Sequence, residues 1–196
     1  MQGVLDAAEE LLATEGTDAL TTTRIAAEAG VAVGSLYQYF PDKETIVDAL
    51  AGRYLDEFEG LMDDLRREAA AGGWAGGLVD RLIDAYADRY RRHPGYRALW
   101  FGRHLSPDLR EADRRNKETL ADGVRAILVE GGVVRDGDGV ETACRAAVLC
   151  ADALLVAAFQ DDANGQPALL DEAKRILRCH LADVVTRYAP TRKARR

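Results

Sequence analysis

The chain has 196 residues, 47% of them hydrophobic and 30% charged, the composition of a folded globular protein with room for one large or two small domains. Neither a signal peptide nor an apolar run long enough to span a bilayer is read, and a cytoplasmic protein is expected. The net charge of −7 removes a broad basic surface as a route to nucleic acid.

Enzyme readings find no support in the residue types. The histidines, His93, His104 and His180, form no zinc-like pair, and no serine or cysteine nucleophile motif is present. Cys144, Cys150 and Cys179 form no CxxC pair and no even framework, so buried, reduced thiols are expected. No cofactor and no metal site is expected.

In chain order, Val4 to Thr14 is predicted as the first helix, with Val4, Leu5, Ala8, Leu11 and Leu12 at helical spacing and Glu15-Gly16 as its stop. The stretch Thr21–Phe40 then reads as two short helices joined by a tight turn. Thr21, Thr22 and Thr23 open the first of these, where a hydroxyl can accept from a free N–H group. Ile25, Ala26 and Ala29 are its expected buried residues. Gly30 ends it, since glycine adopts the left-handed conformation at least cost. Val31, apolar inside the turn, is expected to pin the turn to a core. Val33, Leu36 and Phe40 set the phase of a second helix over 33–40. Together these form a helix-turn-helix, whose second helix enters a DNA major groove.

The outward face of that helix carries Gly34, Ser35, Tyr37, Gln38 and Tyr39. Gly34 leaves room for close backbone approach, and the hydroxyls suit phosphate oxygens. Gln38 can pair bidentately with adenine, a contact worth about 1–3 kcal/mol of discrimination. Thr22 and Thr23 join this DNA-facing set. So does Lys43, at the start of the next helix, assigned to a phosphate. Met1–Leu50 holds two basic residues, Arg24 and Lys43, against nine acids. Backbone N–H groups, helix N-termini and hydroxyls must then make many of the phosphate contacts. A structural hairpin inside a bundle is the plainer alternative, but it has no use for so many exposed hydroxyls and aromatics.

At these residues the chain resembles the tetracycline-repressor family of bacterial transcription regulators. The matching pattern is the Thr run, Ile25-Ala26, Ala29-Gly30-Val31, Gly34-Ser35-Leu36-Tyr37, Tyr39-Phe40 and Asp42-Lys43-Glu44. Members usually carry His where Tyr39 stands, and often Ser or Thr where Ala32 stands. Members often carry a basic arm ahead of the first helix, and none is read here. The resemblance is strong from Val4 to about Leu50 and weak beyond. It implies an all-α homodimer with an N-terminal three-helix DNA-binding domain (1–50, motif 21–40) and a C-terminal helical domain (51–190) that binds an inducer and dimerises. About nine helices are expected, with 191–196 a basic, solvated tail.

Beyond the motif, Asp42 caps a long helix running from Lys43 through Leu65, which links head to body. The run Ala69–Gly77 is read as a loop with Trp74 packed inward. Leu78 to Arg92 is the next helix, ended by His93-Pro94-Gly95. Tyr96 to Leu105 is short and aromatic. Ser106 caps a helix that opens at Pro107 and runs to Glu130. Asp136–Gly139 lacks the ligand series of a calcium loop and reads as a turn. Val140 to Phe159, rich in Ala143, Ala146, Ala147, Ala151 and Ala158, and Ala168 to Tyr188 are the last helices. Paired with their symmetry mates, they make a four-helix dimer interface over about 140–188.

Tyr86, Tyr90, Trp100, Phe101 and His104 lie on adjacent helices. An apolar pocket with a few polar groups is what a small-molecule site needs. These residues are candidate inducer contacts, closed by Leu154, Leu155 or Phe159, with Arg103 and His104 available to a carboxylate or phenol. A filled structural core is the competing reading. The function expected is a ligand-responsive regulator, most simply a repressor released from a palindromic operator by an at least partly apolar inducer. A non-catalytic helical binding or scaffold protein is the alternative.

Overall fold

The computed structural model describes the backbone of residues 1–70, 77–101 and 107–190, and the side chains of these except 55–59, 61, 68–70, 101 and 108–109. Among the described residues there are nine α-helices, one 3-10 turn and no strand. The helices are α1 (Gln2–Glu15), α2 (Thr22–Glu28), α3 (Val33–Tyr37), α4 (Lys43–Ala70), α5 (Leu78–Arg92), α6 (Pro94–Phe101), α7 (Pro107–Glu130), α8 (Asp138–Phe159) and α9 (Pro167–Tyr188). The 3-10 turn, Thr17–Ala19, joins α1 to α2. Trp74, Arg103, His104, Leu105, Ser106 and the tail 191–196, all assigned roles from the sequence, lie outside the described residues.

The chain forms two compact units. The first comprises Met1–Phe58 and Asp88–Asp113, so α6 and the ends of α5 and α7 share a body with α1–α3. The apolar stripe of α1 is buried as its spacing requires: Val4, Leu5, Ala7, Ala8, Leu11 and Leu12. Burying each large aliphatic chain is worth about 1.5–3 kcal/mol. At the start of α4, the Asp42 carboxylate accepts from the Thr45 N–H at 2.8 Å and from the Thr45 hydroxyl at 2.6 Å. This satisfies one of the donors a helix N-terminus leaves open. Helix α5 ends at Arg92, before His93-Pro94-Gly95, as expected, but α6 begins at Pro94, two residues ahead of the expected Tyr96. The His93 N–H closes the last turn on the Arg89 carbonyl, and Pro94 takes the first position of α6. A missing N–H is harmless there, because first-turn N–H groups have no intrahelical partner.

The second unit comprises Glu59–Ala87 and Arg114–Arg196. Its core gathers Val124, Leu128, Val134, Val140, Ala143, Cys144 and Val184, with Met62 and Leu82 packed alongside. A smaller group joins Leu65, Leu78 and Ile127. The Arg135 N–H donates to the Tyr188 carbonyl at 2.8 Å and ties the α7–α8 connection to the end of α9. His180 of α9 donates through Nε2 to the Ala143 carbonyl of α8 at 3.0 Å. Arg178 and Lys174 of α9 reach Asp80 and Asp84 of α5, each at 2.5 Å.

The expectation that no run is apolar enough to span a bilayer needs correction. Helix α8 is, by length and composition alone, long and apolar enough: it has 22 residues, and an 18-residue stretch of it has a mean hydropathy of 1.8. Its sequence period explains this without a membrane. Val140, Ala143, Cys144, Val148, Leu155, Ala158 and Phe159 are buried on one side, while Glu141, Arg145 and Ala153 are exposed. The alanines on the exposed side, Ala146, Ala153 and Ala157, raise the average and obscure the two faces.

The Thr45 hydroxyl and N–H hold the Asp42 carboxyl below the usual aspartate range. A lowered folded-state pKa gives stability that is present above the unfolded value and lost as pH falls through the folded one. Asp42→Ala is therefore expected to lower the melting temperature at neutral pH. The gap from the unsubstituted protein should close as the pH drops below the ordinary aspartate range, which thermal melts across an acid pH series will show.

Candidate nucleic-acid interface

Helix α2 opens where sequence and backbone agree. Thr21 is extended (φ −134°, ψ 149°) and its side chain accepts from the Arg24 N–H at 3.2 Å. The helix closes at Gly30, whose φ of 66° lies in the left-handed region. The Gly30 N–H reaches the Ala27 carbonyl at 3.2 Å and the Val31 N–H reaches the Ala26 carbonyl at 3.0 Å. This is the paired closure of a Schellman turn, and it directs the chain into α3. Val31 follows that turn and is 39% exposed, not pinned to a core as expected. The buried positions are Ile25, Ala26, Leu36 and Phe40. Ala29 and Val33 are half-buried. The second helix is also shorter than the predicted 33–40. It ends at Tyr37, and turns carry the chain on to Phe40.

The residues assigned to DNA all fall on one unit and at its surface. Gly34, Ser35, Gln38, Thr23 and Lys43 are exposed, and Thr22 is half-exposed. Tyr37 is 50% exposed and Tyr39 65%, unusual for large aromatic side chains in a folded chain. The structure brings two of them into direct contact. The Thr22 and Tyr37 hydroxyls lie 3.0 Å apart, linking the start of α2 to the end of α3. Lys43 begins α4 beside the Asp42 cap.

Sequence reading missed how the acids are used. Arg24 donates to both carboxylate oxygens of Glu15, one at 2.8 Å, and holds that carboxyl below the usual range. Arg53 of α4 binds Asp6 and Glu9 of α1, each at 2.5 Å. Only the i to i+9 spacing of Glu15 and Arg24 was local enough to be sought in the sequence. The Arg53 pairs span more than forty residues and needed the fold.

The candidate inducer contacts divide between the units. In the first unit, Tyr90 is buried 5.2 Å from Tyr96, and Tyr96 stacks on Trp100 at 4.3 Å. Trp100 donates through Nε1 to Asp113 at 2.9 Å. Arg89, 2% exposed, lies over the faces of Tyr96 at 4.9 Å and Tyr54 at 5.7 Å. Ring faces attract a cation, the more so when it is desolvated. In the second unit, Leu155 and Phe159 are buried, Tyr86 and Leu154 are half-buried, and the Phe159 ring lies against the Gly165 backbone. The Phe101 side chain and His104 are outside the described residues.

Two family models match the chain: "Bacterial regulatory proteins, tetR family" over residues 4–50 and "Tetracyclin repressor-like, C-terminal domain" over residues 73–185. The Escherichia coli tetracycline repressor protein class D is 30% identical over 142 residues, which cover 69% of this chain and 57% of the relative. The fatty acid metabolism regulator protein of Bacillus subtilis is 36% identical over 69 residues, covering 35% of this chain and 36% of the relative. The matches thus span about a third to just over half the length of such curated relatives. Among solved structures, a TetR-family transcriptional regulator from Streptomyces coelicolor is 30% identical, with a TM-score of 0.68 over 93% of this chain and 98% of that one. The regulator FadR of Bacillus subtilis, solved with stearoyl-CoA, shares the fold at 21% identity, with a TM-score of 0.69 over 92% of this chain and 97% of that one. With one model covering more than half its length and a second seated on the helix-turn-helix, the chain belongs to the TetR family of transcriptional regulators, a family of regulators and not of enzymes.

Proposed function

We propose that this chain is a ligand-responsive DNA-binding regulator, a repressor that leaves a palindromic operator when a small molecule binds. The observation that carries this reading is the division of labour in α2–α3. Ile25, Ala26, Leu36 and Phe40 are sealed inside, while Thr23, Gly34, Ser35, Tyr37, Gln38, Tyr39 and Lys43 face outward. Phosphate contacts from the hydroxyls and Lys43 set register, and Gln38 supplies base readout.

Operator symmetry requires two heads, and half-sites lie about 34–36 Å apart or a multiple of that. The surface offered for pairing is the outer face of α8. Ala146, Leu149, Ala153 and Ala157 are exposed there at helical spacing, Leu149 at 50%, opposite the buried face. Cys179, expected from the sequence to be buried, and Ala182 of α9 are exposed as well. Pairing α8 and α9 with their mates supports a homodimer through about 140–188. A charge at the centre of such an apolar seam has no partner, so Leu149→Glu is expected to convert dimer to monomer in sedimentation while leaving the helical circular dichroism intact.

The effector is expected to be at least partly apolar. Tyr90 and Trp100 are the aromatic candidates in the first unit, and Tyr86, Leu155 and Phe159 the apolar ones in the second; Phe101 and His104 remain candidates from the sequence. A relative that is a fatty acid metabolism regulator and a structural neighbour solved with stearoyl-CoA fit that chemistry. A ligand that favours the mis-spaced dimer by about 3 kcal/mol weakens operator binding about a hundredfold. The setting is cytoplasmic, where operator DNA is found.

The test begins with duplexes selected from a random pool by the intact protein. Tyr37→Ala with Gln38→Ala is expected to abolish retardation of the selected duplex while the dimer persists. Salt titration should give a log–log slope of about −2, one unit per Lys43 in the dimer. The reason is that the only other cation in Met1–Leu50, Arg24, is held by Glu15. Failure to select any duplex overturns the reading. A slope of about −6 or steeper overturns the hydroxyl-dominated interface.

A further inference from the structure

Three residues at the entry to α3 are chosen in ways that the fold does not require. Val31 is apolar and 39% exposed. Among the described residues, the other large hydrophobic side chains left exposed are Met1, Tyr37, Tyr39 and Leu149, so this exposure is concentrated between residues 31 and 39. Ala32 is the N-cap of α3, extended (φ −65°, ψ 135°) and exposed, and makes no side-chain bond to the first turn. Alanine is a poor cap, and serine or asparagine there would strengthen a helix of only five residues. Gly34 does not have a positive φ, and a Cβ on it would meet nothing within 4 Å. Neither backbone conformation nor packing calls for glycine at 34, and glycine weakens a helix relative to alanine.

The three choices share one consequence. The entry to α3 is a low surface of methyl groups from which little projects. Its backbone is fixed from inside: the Val31 N–H donates to the Ala26 carbonyl at 3.0 Å, and the Ser35 and Leu36 N–H groups close on the Ala32 carbonyl at 2.9 and 3.1 Å. In a helix-turn-helix, the N-terminal end of the second helix meets the base edges. The side chains of Val31 and Ala32 can neither donate nor accept a hydrogen bond. The major groove offers them one apolar group, the C5-methyl of thymine, among donors and acceptors. Tyr37 and Tyr39 stand at and beyond the other end of α3, and the Tyr37 hydroxyl lies 3.0 Å from that of Thr22.

We propose that Val31 and Ala32 form a thymine-reading site: they pack on the C5-methyl of one thymine in each half-site and prefer thymine to cytosine there, while Gln38 reads adenine. The inference rests on the regulator reading above and names two specificity-determining residues within it.

The probe is the duplex selected by the intact protein, with each thymine replaced in turn by deoxyuridine. This removes one methyl group and leaves base pairing unaltered. At one thymine per half-site the change is expected to weaken binding about fourfold, and about fifteenfold when both half-sites carry it, the worth of one buried methyl group in each. The series is repeated with Val31→Thr, which keeps the branched shape and exchanges a methyl for a hydroxyl, and with Ala32→Ser. The uracil penalty is expected to shrink in each variant. Ala32→Ser carries an opposite readout as well: its hydroxyl caps α3, so its melting temperature is expected to rise while its preference for thymine falls. A merely structural role would move both in the same direction. A selected duplex that is indifferent to uracil at every thymine overturns the site, as does one with no thymine in its half-sites. A penalty that persists undiminished in both variants also overturns it, because the methyl group is then felt by other residues or through the shape of the duplex. If Val31→Thr does not fold, Ala32→Ser decides alone. A parent protein that selects no duplex overturns the regulator reading and this site together, whereas a uracil-indifferent duplex overturns this site alone.

Discussion

The reading helix cannot hold itself. It has five residues, Val33–Tyr37, far fewer than the roughly 12–15 at which an isolated helix becomes even marginal in water. Its order comes from outside. Leu36 and Phe40 are buried beside Ile25 and Ala26, and the Gly30 turn fixes the angle at which the chain enters it. Hydrophobic anchoring on one side leaves the opposite side, apart from the Thr22–Tyr37 hydroxyl contact, with little structural duty. Gly34, Ser35, Tyr37, Gln38 and Tyr39 are therefore open to selection by a ligand rather than by the fold.

The same economy explains an acidic head. Excess negative charge near a polyanion repels, unless the acids are occupied. Glu15 is taken by Arg24, Asp6 and Glu9 by Arg53, and Asp42 by the first turn of α4. These acids serve α1, α2 and α4 as braces and caps. On the proposed reading, what this head offers a duplex in polar groups is hydroxyls, an amide and Lys43, whose contacts depend on geometry more than on charge, with exposed acids such as Glu28 and Glu44 kept outside the contact. Such a surface gains less from nonspecific attraction and discriminates more by fit.

The sequence made this division readable where periodicity and turn chemistry act locally. The stripe Val4, Leu5, Ala8, Leu11, Leu12 gave α1, and the glycine at 30 gave the end of α2. Leu78–Arg92 gave α5 to the residue, because nothing in the fold overrides a strong amphipathic pattern closed by basic residues. Local reasoning failed where a residue has two uses. Pro94 ends many helices, yet here it starts one, since His93 closes α5 and the proline ring is already shaped for a first turn. Val31 looked like a core residue because it is apolar. The Schellman closure makes its N–H the part that matters and leaves its side chain outside. Helix α8 hid its two faces behind alanines. The Arg53 and His93 contacts to Glu9 join residues that no window of sequence contains.

The interior of the first unit also buries a charge. Arg89 buries a guanidinium against the faces of Tyr54 and Tyr96, where leucine or methionine would pack with no charge to desolvate. What the charge adds is direction. A cation over two ring faces prefers one orientation of all three side chains, whereas aliphatic packing tolerates sliding. Arg89 belongs to α5, Tyr54 to α4 and Tyr96 to α6, so one preferred geometry at this point fixes three helices against one another. Around the same Tyr54 ring lie His93 and, through the hydroxyl, Gly95. The aromatic box and the Glu9 carboxylate are then neighbouring parts of one joint: the box sets how α6 lies on α4, and the carboxylate sets how that pair lies on α1.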